Sequence, residues 1–329
     1  MLPKLTLSLI FAALTVGETV FQYVSNGTWL ENLAVRPNNL LLTTRLDVPE
    51  LWSIDPSTSR GEKLLEFPDA LGAMGITPFA SNGTTTDRYA VVTGNFSLSE
   101  LSATPGSFSI WTVWFDESDQ VQTIPFFHIP EAEFLNGITT FSDEIFLVAD
   151  SVKGVIWKIQ HSVDSPPDPS YSVAVADETM LPSPDQPVQI GINGVKVLNG
   201  YIYYTSTTRE LLCRVPVDEQ ANPTGAVEVL LSGVLNDDFI IDDTNEVVYI
   251  ATNPQNTILK ASNPHNDGDA DYSLSLLAGE AYKLDLAGVT ALQFSRDRSV
   301  LYATTSGAQI GPILGTLIEP AKVVSINLS

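Results

Sequence analysis

A chain of 329 residues, 44% hydrophobic and 17% charged, carries enough apolar material for one large core. Its 39 acidic against 16 basic residues give a formal charge of −23, which repels phosphate backbones and anionic lipid and argues against nucleic acid or a membrane as partner. The single cysteine, Cys213, excludes an intramolecular disulfide, so stability must come from core burial and closure of the architecture.

At the N-terminus, Lys4 precedes an apolar run from Leu5 to Val16 that ends in small residues at Gly17. The pattern predicts a signal peptide over 1–17, cleaved before Glu18, and a secreted domain over 18–329. The rival reading is a buried N-terminal segment. The run is too short for a bilayer anchor. Sequons at Asn26, Asn82, Asn95 and Asn327 accord with secretion and glycosylation.

From Glu31 onward the chain repeats itself. Each copy has a strand, a short turn and a second strand ending in small polar residues: ENLAVRPNNLLLTTR at Glu31, MGITPF at Met74 with YAVVTGN, NGITTFSDEIFLVADS at Asn136, NGVKVLNGYIYYTST at Asn193, DDFIIDDTNEVVYIATN at Asp237 and GVTALQFSRDRSVLYATTSG at Gly288. Starts at 31, 74, 136, 193, 237 and 288 lie 43, 62, 57, 44 and 51 residues apart. A third strand follows each copy (ELWSID, SIWTVWF, GVIWKIQ, LLCRVPV, NTILKAS, KVVSINL). Alternating β-branched and aromatic residues, broken by Pro, Gly, Asn and Asp at this period, predict an all-β, six-bladed β-propeller with a central channel. The last strand is expected to pair with the segment around Val20–Val24.

Blade geometry brings two sets of positions to one mouth of the channel. The starts of the first strands give Glu31, Met74, Asn136, Asn193, Asp237 and a position near Val289; the ends of the second strands give Arg45, Asn95, Asp150, Ser206, Asn253 and Thr305. Two carboxylates and two carboxamides offer oxygen ligands alone, a set for Ca²⁺, Mg²⁺ or Mn²⁺ rather than zinc or copper. Asn136-Gly137 and Asn193-Gly194 also read as turn dipeptides. Trp29, Phe134, Ile192, Phe239 and Met74 flank the polar positions, as an apolar wall or as blade core. The long connections Pro49–Ala73 and Gln160–Ile190 are candidates to cover the mouth. His128, His161 and His265 fall in connections and specify no chemistry. No nucleophile elbow, phosphate loop or cysteine cluster is present, and Cys213 reads as a packed core thiol.

Over nearly its whole mature length the chain resembles the senescence-marker-protein/gluconolactonase family of six-bladed propellers. Glu31 in LENLAVR, Asn136 in LNGI, Asn193 in INGV and Asp237 in NDDFIID match that family's site positions. The resemblance implies Glu31, Asn193 and Asp237 as divalent-metal ligands, Asn136 against metal-bound water or substrate, and Asp237 as a base. Phrases such as ENLAVRPNNLLLTTRLDVPELWSIDP and DDF…IATNP are closer to a secreted fungal branch that includes the hetero-Diels–Alderases of tropolonic sesquiterpene biosynthesis. Asp237 stands in Asn-Asp-Asp rather than Pro-Asp-Gly, and Glu31 precedes Asn-Leu rather than Gly-Pro, departures that reshape the backbone around a metal.

Three activities follow as expectations. First is a cycloaddition enzyme that holds a heterodiene and an alkene, with Asn136, Asn193 and Arg45 aimed inward and no cofactor required. Its pocket would draw on Glu31, Asp237, Met74, Asp150, Asn253, Thr305, Phe134, Phe239 and Trp29. Second is a lactonase whose divalent cation sits on Glu31, Asn193 and Asp237, with Arg45 or Asn253 orienting the substrate. Third is a propeller that only binds. Small molecules, not a partner protein, are the expected ligands.

Overall fold

The structure, a computed structural model, describes residues 17–80, 87–160, 170–244, 247–262 and 272–328. Residues 1–16 of the expected signal segment 1–17, and Asn82, His161 and His265, lie outside the described residues.

Six four-stranded antiparallel sheets form the blades of a propeller. Blade 1 runs Leu30–Val35, Leu41–Arg45, Glu50–Asp55, Arg60–Glu66, and blade 2 runs Gly72–Pro78, Arg88–Gly94, Ser109–Phe115, Val121–His128. Blade 3 comprises Leu135–Ser142, Ile145–Asp150, Val155–Gln160 and Ser170–Ala176; blade 4 comprises Ile192–Leu198, Tyr201–Ser206, Leu211–Pro216 and Glu228–Ser232. Blade 5 is Phe239–Asp242, Val247–Thr252, Thr257–Ser262 and Ser273–Gly279. Blade 6 takes Val289–Phe294, Val300–Thr305 and Lys322–Asn327 from the C-terminus and its outermost strand, Glu18–Gln22, from the N-terminus. First strands of consecutive blades pack on one another in a closed ring, and the sixth returns to the first.

Burial explains the residue choices. The second strand of blade 3, Ile145–Asp150, is buried at every position because blades cover both of its faces, whereas the outermost Ser170–Ala176 is largely exposed. Apolar clusters fill the spaces between blades. Cys213 is one such buried residue, and burial pushes its thiol up to about 11, so it packs as a small apolar group.

The repeated sequence phase corresponds to a repeated β-bulge. In blade 3, Leu135 pairs with Asp150 and Ile138 with Val148, which leaves Asn136 and Gly137 opposite one residue. Blades 2, 4 and 6 shift register in the same way at Met74-Gly75, Asn193-Gly194 and Thr290-Ala291, and blade 1 does so at Glu31. The Asn-Gly pairs are therefore bulges inside first strands rather than turns. A Cβ on Gly137 would lie 2.5 Å from the Asn193 carbonyl oxygen of the next blade, so the residue after Asn136 has to be glycine for the ring to close. Second-strand threonines tie neighbouring blades: Thr205 Oγ1 accepts from Gly194 N at 3.0 Å and donates to the Asp237 carbonyl at 2.6 Å.

Candidate functional site

The bulges turn side chains into a cavity of about 60 Å³ at one mouth of the channel. Its polar floor comes from Glu31, Asn136, Asn193, Thr207, Asp237 and Asn253. Trp29, Leu46, Phe96 and Phe134 form an apolar side, and Leu101, Val188, Ile190 and Ile310 reach it from loops. Phe96 stacks on Phe134 with centroids 4.7 Å apart, which stiffens that wall.

Both carboxylates of the floor are buried. The Trp29 indole N–H donates to Glu31 Oε2 at 2.6 Å, and two carboxamides, Asn193 at 2.8 Å and Asn253 at 3.2 Å, donate to opposite oxygens of Asp237. Burial outweighs these bonds and pushes Glu31 up to about 7. Burial, then the neighbouring charge of Glu31, also raises Asp237 well above the usual carboxylate range. Asp238, the adjacent residue, does not line the cavity; it pairs with Lys196 at 2.6 Å and accepts from the Asn32 carboxamide at 3.0 Å. The floor thus offers in Glu31 a weak acid that holds its proton up to about pH 7, beside uncharged hydrogen-bonding groups.

Seven of the sequence-predicted residues meet in this cavity: Trp29, Glu31, Phe134, Asn136, Asn193, Asp237 and Asn253. Others do not. Arg45, expected to aim inward, pairs with Asp47 and, at 2.8 Å, with Glu50, and lies over the Tyr23 ring; through Asp47, which accepts from Trp29 N at 2.9 Å, it holds the backbone of Trp29. Asp150 accepts from the backbone of Glu133, Phe134 and Lys153 and from the Trp157 indole, so it anchors the segment that carries Phe134. Thr305 bonds across the sheet to Lys322. Met74, Ile192 and Phe239 are wholly buried in inter-blade clusters.

One physical cause covers the second-strand errors. Arg45, Asp150, Ser206 and Thr305 pair with Leu30, Leu135, Ile192 and Val289, the residues just before each bulge. Successive strand residues face opposite sides, so the cavity receives the next residue along, Leu46 in blade 1 and Thr207 in blade 4. Asn253 belonged to that second phase from the start. In blade 2 the equivalent pairing is Ala73 with Thr93, so Asn95 is not a ring position, and its half-buried side chain does not line the cavity. The sixth first-strand position is Thr290, whose hydroxyl donates to the Leu30 carbonyl at 2.7 Å.

Sequence reasoning missed Thr207, Leu46, Phe96, Leu101, Val188, Ile190 and Ile310. Val188 and Ile190 end the connection Gln160–Ile190 expected to cover the mouth, while Pro49–Ala73 contributes no lining residue. His128 ends the outermost strand of blade 2, exposed beside Ser109, and does not line the cavity. The resemblance implies a divalent cation on Glu31, Asn193 and Asp237, and the chemistry of the donors suits one: they are hard oxygens, two from buried carboxylates whose mutual repulsion a cation would relieve. Carboxamides must complete that set, since among the described residues no three of His, Cys, Asp and Glu cluster to hold a metal. Asn193 presents nitrogen to Asp237 and would have to turn its carboxamide over to ligate.

No family model matches the sequence. The chain is 27% identical over 312 residues to a protein of Phoma sp named "Putative hetero-Diels-Alderase", covering 85% of this chain and 84% of that one. A second protein so named, from Sarocladium schorii, is 24% identical over 343 residues, covering 92% and 81%. Among solved structures, a luciferin-regenerating enzyme superposes with a TM-score of 0.65 at 14% identity, covering 95% of each chain. Regucalcin of Agrobacterium tumefaciens, described as a calcium-binding protein, gives 0.59 at 12% identity, also covering 95% of each. At these identities the solved structures share the fold alone.

Proposed function

We propose that this protein is a biosynthetic enzyme that catalyses an intermolecular hetero-Diels–Alder cycloaddition of tropolonic sesquiterpene type. The observation that carries the reading is a cavity with one apolar side and a floor on which a buried, protonatable Glu31 is held by the Trp29 indole. The names of the two curated relatives support the same class. Two σ bonds form at the expense of two π bonds in this reaction, and no proton or electron has to be supplied. The protein's task is to hold the two π systems in register, where orientation contributes up to about 7–11 kcal/mol. Hydrogen bonds to the heterodiene oxygen draw electron density from the diene and favour attack by the alkene. A neutral Glu31 and the Asn136 carboxamide are the donors we assign to that oxygen. A terpene alkene would lie against Trp29, Phe96 and Phe134, and the loops that carry Leu101, Val188 and Ile310 part to admit it, because about 60 Å³ holds only a few water molecules. The reading places the protein in the secretory pathway, with small molecules as its ligands.

The test is to release a tropolonic quinone methide in the assay from its hydroxymethyl precursor, with a cyclic sesquiterpene alkene present. We expect faster adduct formation and one enantiomer in excess, with Glu31→Ala losing at least tenfold in rate. A racemic adduct formed at the uncatalysed rate would overturn the reading.

The oxygen-only floor favours one second reading, metal-dependent lactone hydrolysis. A divalent cation on Glu31, Asn193 and Asp237 would supply Lewis acidity toward a lactone carbonyl. Lactone turnover that is abolished by chelator and restored by Ca²⁺ would select this reading over the first.

A further inference from the structure

The first reading places hydrogen-bond donors around a substrate oxygen, and the hydrogen bonding of the floor identifies one that no sequence pattern marked. Resting on that reading, we propose that the Thr207 hydroxyl is a catalytic donor to the heterodiene oxygen.

Both oxygens of Asp237 accept from carboxamide nitrogens, Oδ1 from Asn193 and Oδ2 from Asn253. The nitrogen end of Asn193 must therefore face Asp237. That same nitrogen, Nδ2, carries a second hydrogen, which it donates to Thr207 Oγ1 at 3.1 Å. The Thr207 oxygen acts there as acceptor, so its own O–H hydrogen is left over, and among the described residues it has no acceptor. Thr207 lines the cavity and is half-buried. A hydroxyl that already accepts a hydrogen bond donates more strongly through the next one, so the chain from Asn193 to Thr207 points a polarised O–H into the cavity.

The position is rigid as well as suitably polarised. Thr207 N donates to the Gly191 carbonyl at 2.8 Å, and the Thr207 carbonyl accepts from Glu210 N at 3.0 Å. The first bond pins the residue to the segment just before the bulge of blade 4 that presents Asn193, so donor and carboxamide move as one unit. Asn136, the neighbouring floor residue, has a side chain without a hydrogen-bond partner among the described residues and supplies a second donor from the adjacent blade. With Glu31, three donors from three blades beside an apolar wall define a ligand with one oxygen-bearing conjugated edge and an otherwise apolar body.

The experiment compares wild type, Thr207→Val and Thr207→Ser in the quinone-methide assay described above, with unfolding midpoints measured for each. Thr207→Val keeps the shape and removes the donor; we expect kcat to fall about tenfold with KM changed less than twofold. Thr207→Ser should restore most of the rate. The carbonyl stretch of bound tropolone, used as an unreactive probe, should move toward higher frequency in Thr207→Val and back in Thr207→Ser. A wild type that accelerates the reaction while Thr207→Val does so equally overturns the role of Thr207 alone. Loss of rate with an unchanged carbonyl stretch likewise reduces Thr207 to a packing residue. A wild type without acceleration removes the reading on which the role rests.

Discussion

Glu31 and Asp237 show how burial sets the chemistry of a side chain. Each carboxyl is enclosed at the channel mouth, and the donors that reach it recover only part of the lost hydration. For Glu31 the sign of the linkage is direct: its pKa rises from 4.5 to about 7 on folding, so the native state binds the extra proton between those values. Its contribution to stability is full below about pH 4.5 and is lost as pH rises through about 7. Urea unfolding at pH 5 and pH 8 should show wild type weaker at the higher pH, and Glu31→Gln should narrow that difference by on the order of 2 kcal/mol. An unchanged difference would mean that Glu31 is ionised in the folded protein. The rate of cycloaddition should fall over the same range if neutral Glu31 is a donor. Arg45 carries the opposite lesson: a guanidinium this buried needs carboxylates at hand, and Asp47 and Glu50 meet that need within the same blade.

Among elements, the bulged first strand is the unit that builds the site. An extra residue at the start of the strand lifts Glu31, Asn136 or Asn193 out of the ladder and toward the channel, while the glycine behind each of the two asparagines allows the next blade to approach. Gly137→Ala would press a methyl group against the Asn193 carbonyl and displace that residue. We expect a loss of about 1–3 kcal/mol in chemical unfolding, together with a lower rate, because Asn193 belongs to the floor. Wild-type stability in Gly137→Ala would show that the two blades separate without cost. The recurrence of Asn-Gly at one repeat phase was legible in the sequence. The bulge was not, since register depends on which residues pair, and a one-residue difference in phase is what separated Arg45 from Leu46.

For the whole molecule, the ring is held shut by both chain ends. Glu18 pairs with Ser325 and Gln22 with Lys322, and Phe21 and Tyr23 pack on Trp52 of blade 1 with centroids 6.4 and 4.9 Å away. Closure covers an edge that would otherwise expose the backbone of Lys322–Asn327. A chain started after Gln22 should therefore unfold at a lower temperature and associate through that edge, as read by light scattering on a sizing column. A monomer with the wild-type Tm would show that the first and sixth blades hold together unaided.

The six blades, their strand order outward from the channel and the polar character of Glu31, Asn136, Asn193 and Asp237 were all readable from the chain. Each rests on local alternation and on a period that recurs six times, and neither needs knowledge of contacts between distant residues. Tertiary structure alone decided which neighbour of each strand end faces the cavity, and it brought Phe96, Val188 and Ile310 to the same wall from three separate loops. It also paired the carboxamides of Asn193 and Asn253 with Asp237 and left the Thr207 hydroxyl without an acceptor among the described residues. These are facts of register and of enclosure. Both arise only when residues far apart in sequence exclude water from the same space.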